Sequence, residues 1–96
     1  MRRFKVIVSP AAQRDIEGSY LWGRKHWGKE QANHWVRELR TAIYKLANLP
    51  ESHPLAPESH EFPQPIRQIL IGRYRVLFAV ADGKVFVLHV RGAYHE

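Results

Sequence analysis

The sequence contains no cysteine, no low-complexity tract and no apolar run that approaches the roughly 20 residues needed to cross a bilayer. Without cysteine, the chain has neither a disulfide framework nor thiolate ligands for zinc, which fits a reducing cytosol. The first six residues also lack the apolar core of a signal peptide. We therefore expect an intracellular, cytoplasmic protein with no membrane partner.

The length and composition favour one folded domain. Ninety-six residues can build one hydrophobic core but not two, so we expect a single domain over residues 1–96. The apolar fraction of 45% is that of an ordinary globular protein. Every function therefore has to be carried by one compact unit.

The charge of the chain is positive and unevenly distributed. Fifteen lysines and arginines against nine aspartates and glutamates give a formal net charge of +6. Residues 1–49 hold ten basic and four acidic side chains, whereas residues 50–65 hold three acidic and no basic ones. A basic surface speeds encounters with polyanions and acidic proteins, and the plainer alternative is that it only keeps the chain in solution.

Two helices are predicted in the first half of the chain, after a strand at residues 4–8 that is rich in β-branched side chains. Ser9 is a favourable N-cap and Pro10 suits the first helical position, so the first helix begins there and ends at Gly28. The second helix is predicted from apolar residues that recur at steps of three and four. These residues are Ala32, Trp35, Val36, Leu39, Ala42, Ile43, Leu46 and Leu49.

The second half of the chain is predicted to form a proline-rich loop and then three antiparallel strands. Residues 50–65 hold five of the six prolines and are expected to be irregular. Asp82-Gly83 is typical of a type I′ turn between the last two strands. The strands are predicted at residues 66–71, 74–80 and 85–91. The predicted fold is therefore α+β: an N-terminal strand, a two-helix hairpin and a three-stranded antiparallel sheet.

The two-residue turn also predicts a register for the terminal hairpin. The predicted pairs on one face are Val80 with Val85, Phe78 with Val87, Val76 with His89 and Tyr74 with Arg91. The other face is predicted to carry Arg75, Leu77, Leu88 and Val90. Both faces are apolar near the turn and polar at the far end, where the expected side chains are Arg73, Arg75, His89 and Arg91. That polar end is the predicted place for binding or chemistry.

Several motifs occur in an order that resembles one known toxin superfamily. They are Ser9-Pro10-Ala11-Ala12 with Asp15-Ile16 at the first helix, the segment from Leu46 to Pro50 after the second, and Tyr74-Arg75-Val76-Leu77-Phe78 with its hairpin. Over nearly the whole chain, this arrangement resembles the RelE/ParE toxin superfamily. The resemblance implies the toxin component of a type II toxin-antitoxin system, related to plasmid-stabilisation proteins and silenced by a cognate antitoxin.

The resemblance leaves two modes of growth inhibition open, because a single fold carries both. RelE-like members cleave mRNA in the ribosome, and ParE-like members inhibit DNA gyrase without being nucleases. The chain is thus a candidate RNA-binding endoribonuclease (mRNA interferase) or a candidate gyrase inhibitor, and whether it is an enzyme stays open. A further alternative is a non-toxic basic module of the same fold that binds nucleic acid or protein.

The candidate site residues are mostly arginines, because a guanidinium binds phosphate oxygens in pairs and stays protonated. By the resemblance, Arg75 matches the arginine of the nuclease members' corresponding strand. Three further candidates lie in the C-terminal segment where those members keep other catalytic residues: Arg91, Tyr94 and His95. Arg67 and Arg73 are predicted to contact nucleic acid.

Plainer structural interpretations stand beside these roles. Arg75 can pair with a loop carboxylate such as Glu58, and His89 can be a half-buried histidine whose hydrogen bonds are satisfied. No residue matches the upstream base of the nuclease members, and the nearest candidates are Glu58, Glu61 and Arg67. We expect no metal and no cofactor, because the histidines and glutamates of the proline-rich loop match no standard ligand spacing.

Overall fold

Residues 3–92 of the chain are described by a computed structural model, in which two helices pack against a four-stranded sheet. The elements are β1 (Lys5–Val8), α1 (Pro10–Trp27), α2 (Lys29–Tyr44), β2 (Arg67–Ile71), β3 (Tyr74–Ala81) and β4 (Lys84–Gly92). The strand order is β1-β4-β3-β2, with β1 parallel to β4 and the other neighbours antiparallel. The predicted α+β fold is confirmed, and the N-terminal strand joins the other three in one mixed sheet.

The start of α1 follows the predicted capping chemistry. The Ser9 hydroxyl oxygen accepts a hydrogen bond from the Ala12 N–H at 3.1 Å, and Pro10 occupies the first turn, where its missing N–H costs nothing. The helix ends at Trp27, and Gly28 follows with a φ of 98°, a backbone conformation that favours glycine. Capping therefore fixes both ends of this helix.

The second helix ends earlier than its apolar pattern indicates. Leu39 and Ile43 are buried on α2, and Leu46 is buried in the short 3-10 turn that follows. Leu49 is 68% exposed and has a left-handed backbone conformation with a φ of 49°, so its predicted place in the apolar repeat of the second helix is wrong. The reason is that the α-helix ends at Tyr44 and gives way to a 3-10 turn over Lys45–Ala47, so the spacing of an α-helix no longer applies. Between residues 3 and 92, no helix has the length and apolarity to cross a membrane.

Both faces of the sheet are covered, and a separate hydrophobic core lies on each face. The larger core lies between the helices and the sheet, and its buried members include Ile16, Leu39, Ile43, Val76, Phe78 and Val87. Side chains that alternate with these along β3 point to the opposite face, where a smaller core forms beneath the proline-rich loop. That core consists of Ala56, Ile66, Leu77 and Ala79, with Leu88 packed against it. The loop therefore has an ordered place on the sheet.

The terminal hairpin follows the predicted register near the turn and departs from it further along. Asp82 and Gly83 both have positive φ, as a type I′ turn requires, and the predicted pairs of Val80 with Val85 and Phe78 with Val87 are confirmed. A β-bulge then leaves Leu88 without a partner on β3.

The bulge corrects the remaining predicted pairs. The observed pairs beyond it are Leu77 with His89, Val76 with Val90, Arg75 with Arg91 and Tyr74 with Gly92. The predicted pairs of Val76 with His89 and Tyr74 with Arg91 are therefore wrong by one residue. Val90 accordingly belongs to the helix-side core instead of the opposite face. The extra residue also brings Arg75 and Arg91 side by side on one face.

Candidate functional site

An arginine-rich cavity of about 660 Å³ opens where the polar ends of β3 and β4 meet α1. Its charged lining consists of Arg14, Asp15, Arg73, Arg75, His89 and Arg91. We call this the arginine cavity. Three of its members were predicted to lie at the polar end of the hairpin as site residues, namely Arg73, Arg75 and Arg91, and the structure brings them together.

The sheet register sets two like charges against each other in this cavity. Arg75 and Arg91 are directly paired across β3 and β4, so both side chains project on the face covered by the proline-rich loop. Like charges in a directly opposed pair destabilise a sheet unless an anion lies near them. The paired arginines of these two strands thus form a positively charged position that a nearby anion would stabilise.

One carboxylate of the protein, carried by the proline-rich loop, lies beside this arginine pair. The two guanidinium nitrogens Nη1 and Nη2 of Arg75 donate to the Glu58 carboxylate oxygens at 3.0 and 2.5 Å. Arg75 Nη1 also donates to the Gln68 side-chain oxygen at 2.8 Å. The pairing of Arg75 with Glu58, left as an alternative by the sequence, is present. The Arg75 side chain remains 30% exposed and still lines the cavity.

The ion pair changes the chemistry of Glu58. Its hydrogen bonds from Arg75 lower the Glu58 pKa from 4.5 to about 2, and the positive charge of Arg91 acts in the same direction. A carboxylate with so low a pKa is a weak proton acceptor at neutral pH. Glu58, one of the three nearest candidates for a general base, is therefore occupied by Arg75 instead.

The lowered pKa predicts an acid-dependent loss of stability. Because the folded-state pKa of Glu58 lies below the unfolded value of 4.5, its stabilisation is present above about pH 4.5 and is lost as the pH falls toward 2. We expect wild type to lose about 1 to 2 kcal/mol more than Glu58→Gln between pH 5 and pH 2, a modest value because solvent reaches the pair. Urea unfolding at a series of pH values measures the difference.

The exposed neighbour Glu61 provides the control for this measurement. Its side chain is 62% exposed, and its only ion pair within residues 3–92 is a 3.9 Å contact with His60. We expect Glu61→Gln to follow the wild-type pH profile. Parallel profiles for wild type and Glu58→Gln would contradict the assignment of a stabilising ion pair to Glu58.

Three of the four arginines of the cavity are not neutralised by the protein. Within residues 3–92, no carboxylate forms an ion pair with Arg14, Arg73 or Arg91, and all three are exposed. Guanidinium groups bind phosphate and carboxylate oxygens in a planar, paired geometry. The arginine cavity can therefore hold an anion with several oxygens.

A carboxylate and an imidazole lie together at the wall formed by α1. Asp15 Oδ2 is 3.2 Å from His89 Nδ1 and accepts a hydrogen bond from the Val90 N–H at 2.9 Å. The Ser9 hydroxyl donates to the carbonyl of Leu88, the bulged residue, at 3.1 Å. Ser9, the N-cap of α1, and Asp15 in its first half thus contact β4 at and beyond the bulge, and Asp15 also contacts His89.

Sequence reasoning missed the contact of Asp15 with His89. The two residues are 74 positions apart, and their contact depends on a bulge that no local pattern indicates. The one available signal was Asp15 itself, which is the carboxylate among the four α1 residues that line the cavity. Arg14 was also missed, because an exposed arginine on a helix carries no distinguishing pattern.

The remaining predicted site residues are placed elsewhere. Arg67 does not line the arginine cavity: its Nη1 donates to the carbonyl of His53, a residue of the proline-rich loop, at 2.7 Å. Tyr94 and His95 lie outside the described residues. No group of three or more histidine, aspartate or glutamate side chains within residues 3–92 could hold a metal ion.

Comparison with known proteins identifies similar chains. A family model described as "ParE toxin of type II toxin-antitoxin system, parDE" matches residues 6–93. A solved chain of the chromosomal ParDE toxin-antitoxin system from P. aeruginosa is similar with a TM-score of 0.80 at 16% identity, and the match covers 94% of this chain and 96% of that chain. No curated protein sequence matches the chain.

A second solved structure shows the same fold. It is a chain of the toxin-antitoxin complex RelBE2 from Mycobacterium tuberculosis, similar with a TM-score of 0.66 at 18% identity. The match covers 96% of this chain and 93% of that chain. At these low identities, both structures bear on the fold alone.

Proposed function

Because the chain belongs to the ParE toxin family of type II toxin-antitoxin systems, we propose that it inhibits bacterial growth through the arginine cavity. The observation that carries this proposal is the set of guanidinium groups left without carboxylate partners within residues 3–92. These groups are Arg14, Arg73 and Arg91, and they stand beside Arg75. A cluster of this kind binds phosphates, and the net charge of +6 speeds the approach of a nucleic acid.

The proposed target is a nucleic acid held in a larger machine in the cytoplasm. Messenger RNA in the ribosome and DNA bound by gyrase both present a row of phosphates to the arginine cavity. We place gyrase inhibition first, because the family model that matches residues 6–93 is that of the ParE toxins. Ribosome-dependent mRNA cleavage is the second mode, and the imidazole and carboxylate that lie in the same cavity as the arginines favour it.

The proposed partner is a cognate antitoxin. Similar structures come from toxin-antitoxin complexes, namely ParDE and RelBE2. For this chain, an antitoxin segment with acidic side chains would cover the positive surface and neutralise it. In this proposal, the pair would stabilise a plasmid that carries it, because cells that lose the plasmid keep only the toxin.

Expression of the chain alone, and together with the gene next to it, tests this function. We expect strong growth inhibition by the chain alone and normal growth when the neighbouring gene is co-expressed, since the antitoxin blocks the cavity. The two proteins should copurify at low salt. Normal growth with the chain alone, at a level where the folded protein is detected, would contradict the toxin function and favour the non-toxic binding module.

The mode of inhibition has separate readouts in the same cells. Cleaved mRNA without DNA damage identifies the ribosomal mode, and DNA breaks with an SOS response identify gyrase as the target. We expect the second result, because the family model that matches the chain is that of the ParE toxins.

A further inference from the structure

We propose that the arginine cavity also binds the oligophosphate tail of a free nucleoside triphosphate, which then competes with the nucleic-acid target for the same arginines. Binding of a small nucleotide goes beyond the proposed function, because it needs neither the ribosome nor gyrase. The competition, but not the binding, rests on the proposed function. Two independent observations support the nucleotide: the number of positive charges around one cavity, and a helical glycine that leaves open space in the cavity wall.

The uncompensated arginines of the cavity come from three separate elements. Arg14 lies on α1, Arg73 lies in the turn between β2 and β3, and Arg91 lies on β4. None of the three forms an ion pair with a carboxylate within residues 3–92. A guanidinium keeps its positive charge throughout the physiological pH range. Three permanent charges therefore surround one cavity of about 660 Å³.

The two carboxylates at this site do not cancel these charges. Glu58 is held by two hydrogen bonds from Arg75, so the charges of this pair offset each other. Asp15 accepts a hydrogen bond from the Val90 N–H at 2.9 Å and contacts His89 Nδ1 at 3.2 Å. Even with Asp15 ionised, the cavity retains an excess of two positive charges.

This excess suits the end of a phosphate chain. A nucleic-acid strand spreads its charge along its length, with one negative charge for about every 3.4 Å of axis. A terminal phosphate alone carries about 1.5 to 2 negative charges at pH 7, and the inner phosphates of a nucleotide add more beside it. A chain end can also enter a concave site whose arginines converge from three elements. The cavity volume falls within the range of about 300 to 1,000 Å³ that is typical of small-molecule sites.

The second observation concerns Gly18, a glycine in the interior of α1 that packing does not require. Glycine destabilises a helix interior relative to alanine. Of the five other glycines, three have a positive φ, and a Cβ atom added at Gly23 or Gly92 would overlap the ring of Trp27 or Tyr74. Among the described residues, a Cβ atom at Gly18 would meet no packed neighbour within 4 Å.

Gly18 lies in the wall of the arginine cavity. Residues three and four positions apart share one face of a helix, so Gly18 faces the same way as Asp15 and Arg14, which also line the cavity. A larger side chain at this position would project beside Arg14, into the space that a ligand needs. A binding site for a small ligand thus accounts for a glycine that neither backbone conformation nor packing explains.

Titration calorimetry of the purified full chain, at physiological salt and without divalent cations, tests the proposal. We expect ATP to bind about tenfold or more tightly than AMP, and than a short single-stranded DNA with the same number of phosphates, because its charge is concentrated at one end. Inorganic triphosphate should bind no more tightly than ATP. Equal affinities for ATP and the DNA would overturn the proposal. Much tighter binding of inorganic triphosphate would assign the cavity to inorganic polyphosphate and overturn the nucleotide.

Two matched pairs of variants test the position of the site. Gly18→Leu fills the open space with a better helix former and should weaken ATP binding about tenfold or more, whereas Gln13→Leu adds the same side chain at an exposed α1 position outside the cavity and should bind as wild type does. Arg73→Gln should also weaken binding about tenfold or more, whereas Lys25→Gln removes an equal charge elsewhere and should change it about twofold or less. Thermal melting confirms that each variant is folded. Unchanged ATP affinity in either folded cavity variant would contradict this position.

The outcomes also separate nucleotide binding from the proposed function. Growth inhibition by a wild-type chain that does not bind ATP would overturn the nucleotide site and leave the toxin function standing. ATP binding by a chain that does not inhibit growth would contradict the proposed function and leave the site standing. The competition has its own readout: ATP should displace a fluorescent single-stranded DNA from the wild-type chain, and simultaneous binding of both would overturn it.

Discussion

Replacement of Arg75 by alanine is expected to reduce growth inhibition on the order of a hundred- to a thousandfold, by analogy with the loss of one preorganised donor to a developing oxyanion. Arg75 lines the cavity, and its guanidinium is paired with the Glu58 carboxylate while remaining partly exposed. The measurement is the lowest expression level at which growth stops, taken together with the amount of folded protein.

Arg75→Ala also leaves the Glu58 carboxylate without its main partner. This loss is expected to cost about 1 to 3 kcal/mol of folding free energy, because a partly buried charge stays uncompensated. Loss of toxicity could then come from unfolding, and thermal melting of the purified variant checks this directly. A folded, non-toxic Arg75→Ala protein supports a role at the target.

Glu58→Gln is the matched control for Arg75. If Arg75 serves only as the structural partner of Glu58, removal of the charge from either side of the pair should have similar consequences. If Arg75 binds the target, Glu58→Gln should keep or increase toxicity, because it releases the guanidinium from an internal competitor. Full toxicity of a folded Arg75→Ala protein would remove Arg75 from the site.

Local chemistry made the helices and the final turn predictable from the sequence. Ser9 and Pro10 carry a start signal that needs no tertiary information, and Asp82-Gly83 selects a turn type from two residues. The alternation along β3 also placed Arg75 at the polar end of the hairpin. These features depend on neighbours in sequence, which is why they were read correctly.

Features that depend on distant contacts could not be predicted. The bulge at Leu88 shifts the register by one residue, and its contacts are distant in sequence: the Ser9 hydroxyl donates to the Leu88 carbonyl, and Asp15 of α1 accepts from the Val90 N–H. Because of the same shift, Arg91 pairs with Arg75 and not with Tyr74, its predicted partner. A one-residue slip moves side chains to the opposite face, so the layout of the site had to come from the fold.

The position of Leu49 shows a limit of prediction from a periodic pattern. Its spacing continued the apolar stripe of α2, yet the helix had already ended at Tyr44. The buried residue at this point is Pro50, which begins the next short turn. A periodic pattern thus indicates the helix and its buried face more reliably than the residue at which the helix ends.

The central claim, that the arginine cavity and not the general positive charge inhibits growth, has one direct test. Two triple variants each lower the net charge of +6 by three. The first changes Arg73, Arg75 and Arg91 of the cavity to glutamine. The second changes exposed basic residues of the helices to glutamine, namely Arg24, Lys25 and Arg37.

Growth of cells that express each triple variant, at matched levels of folded protein, is the measurement. We expect cells with the cavity variant to grow as cells with an empty vector do, because three of the four phosphate-binding groups of the cavity are gone. We expect the helix variant to remain toxic at an expression level within about tenfold of wild type, because exposed charges mainly affect the rate of encounter. Equal loss of toxicity in both variants, or full toxicity of the cavity variant, would contradict the claim.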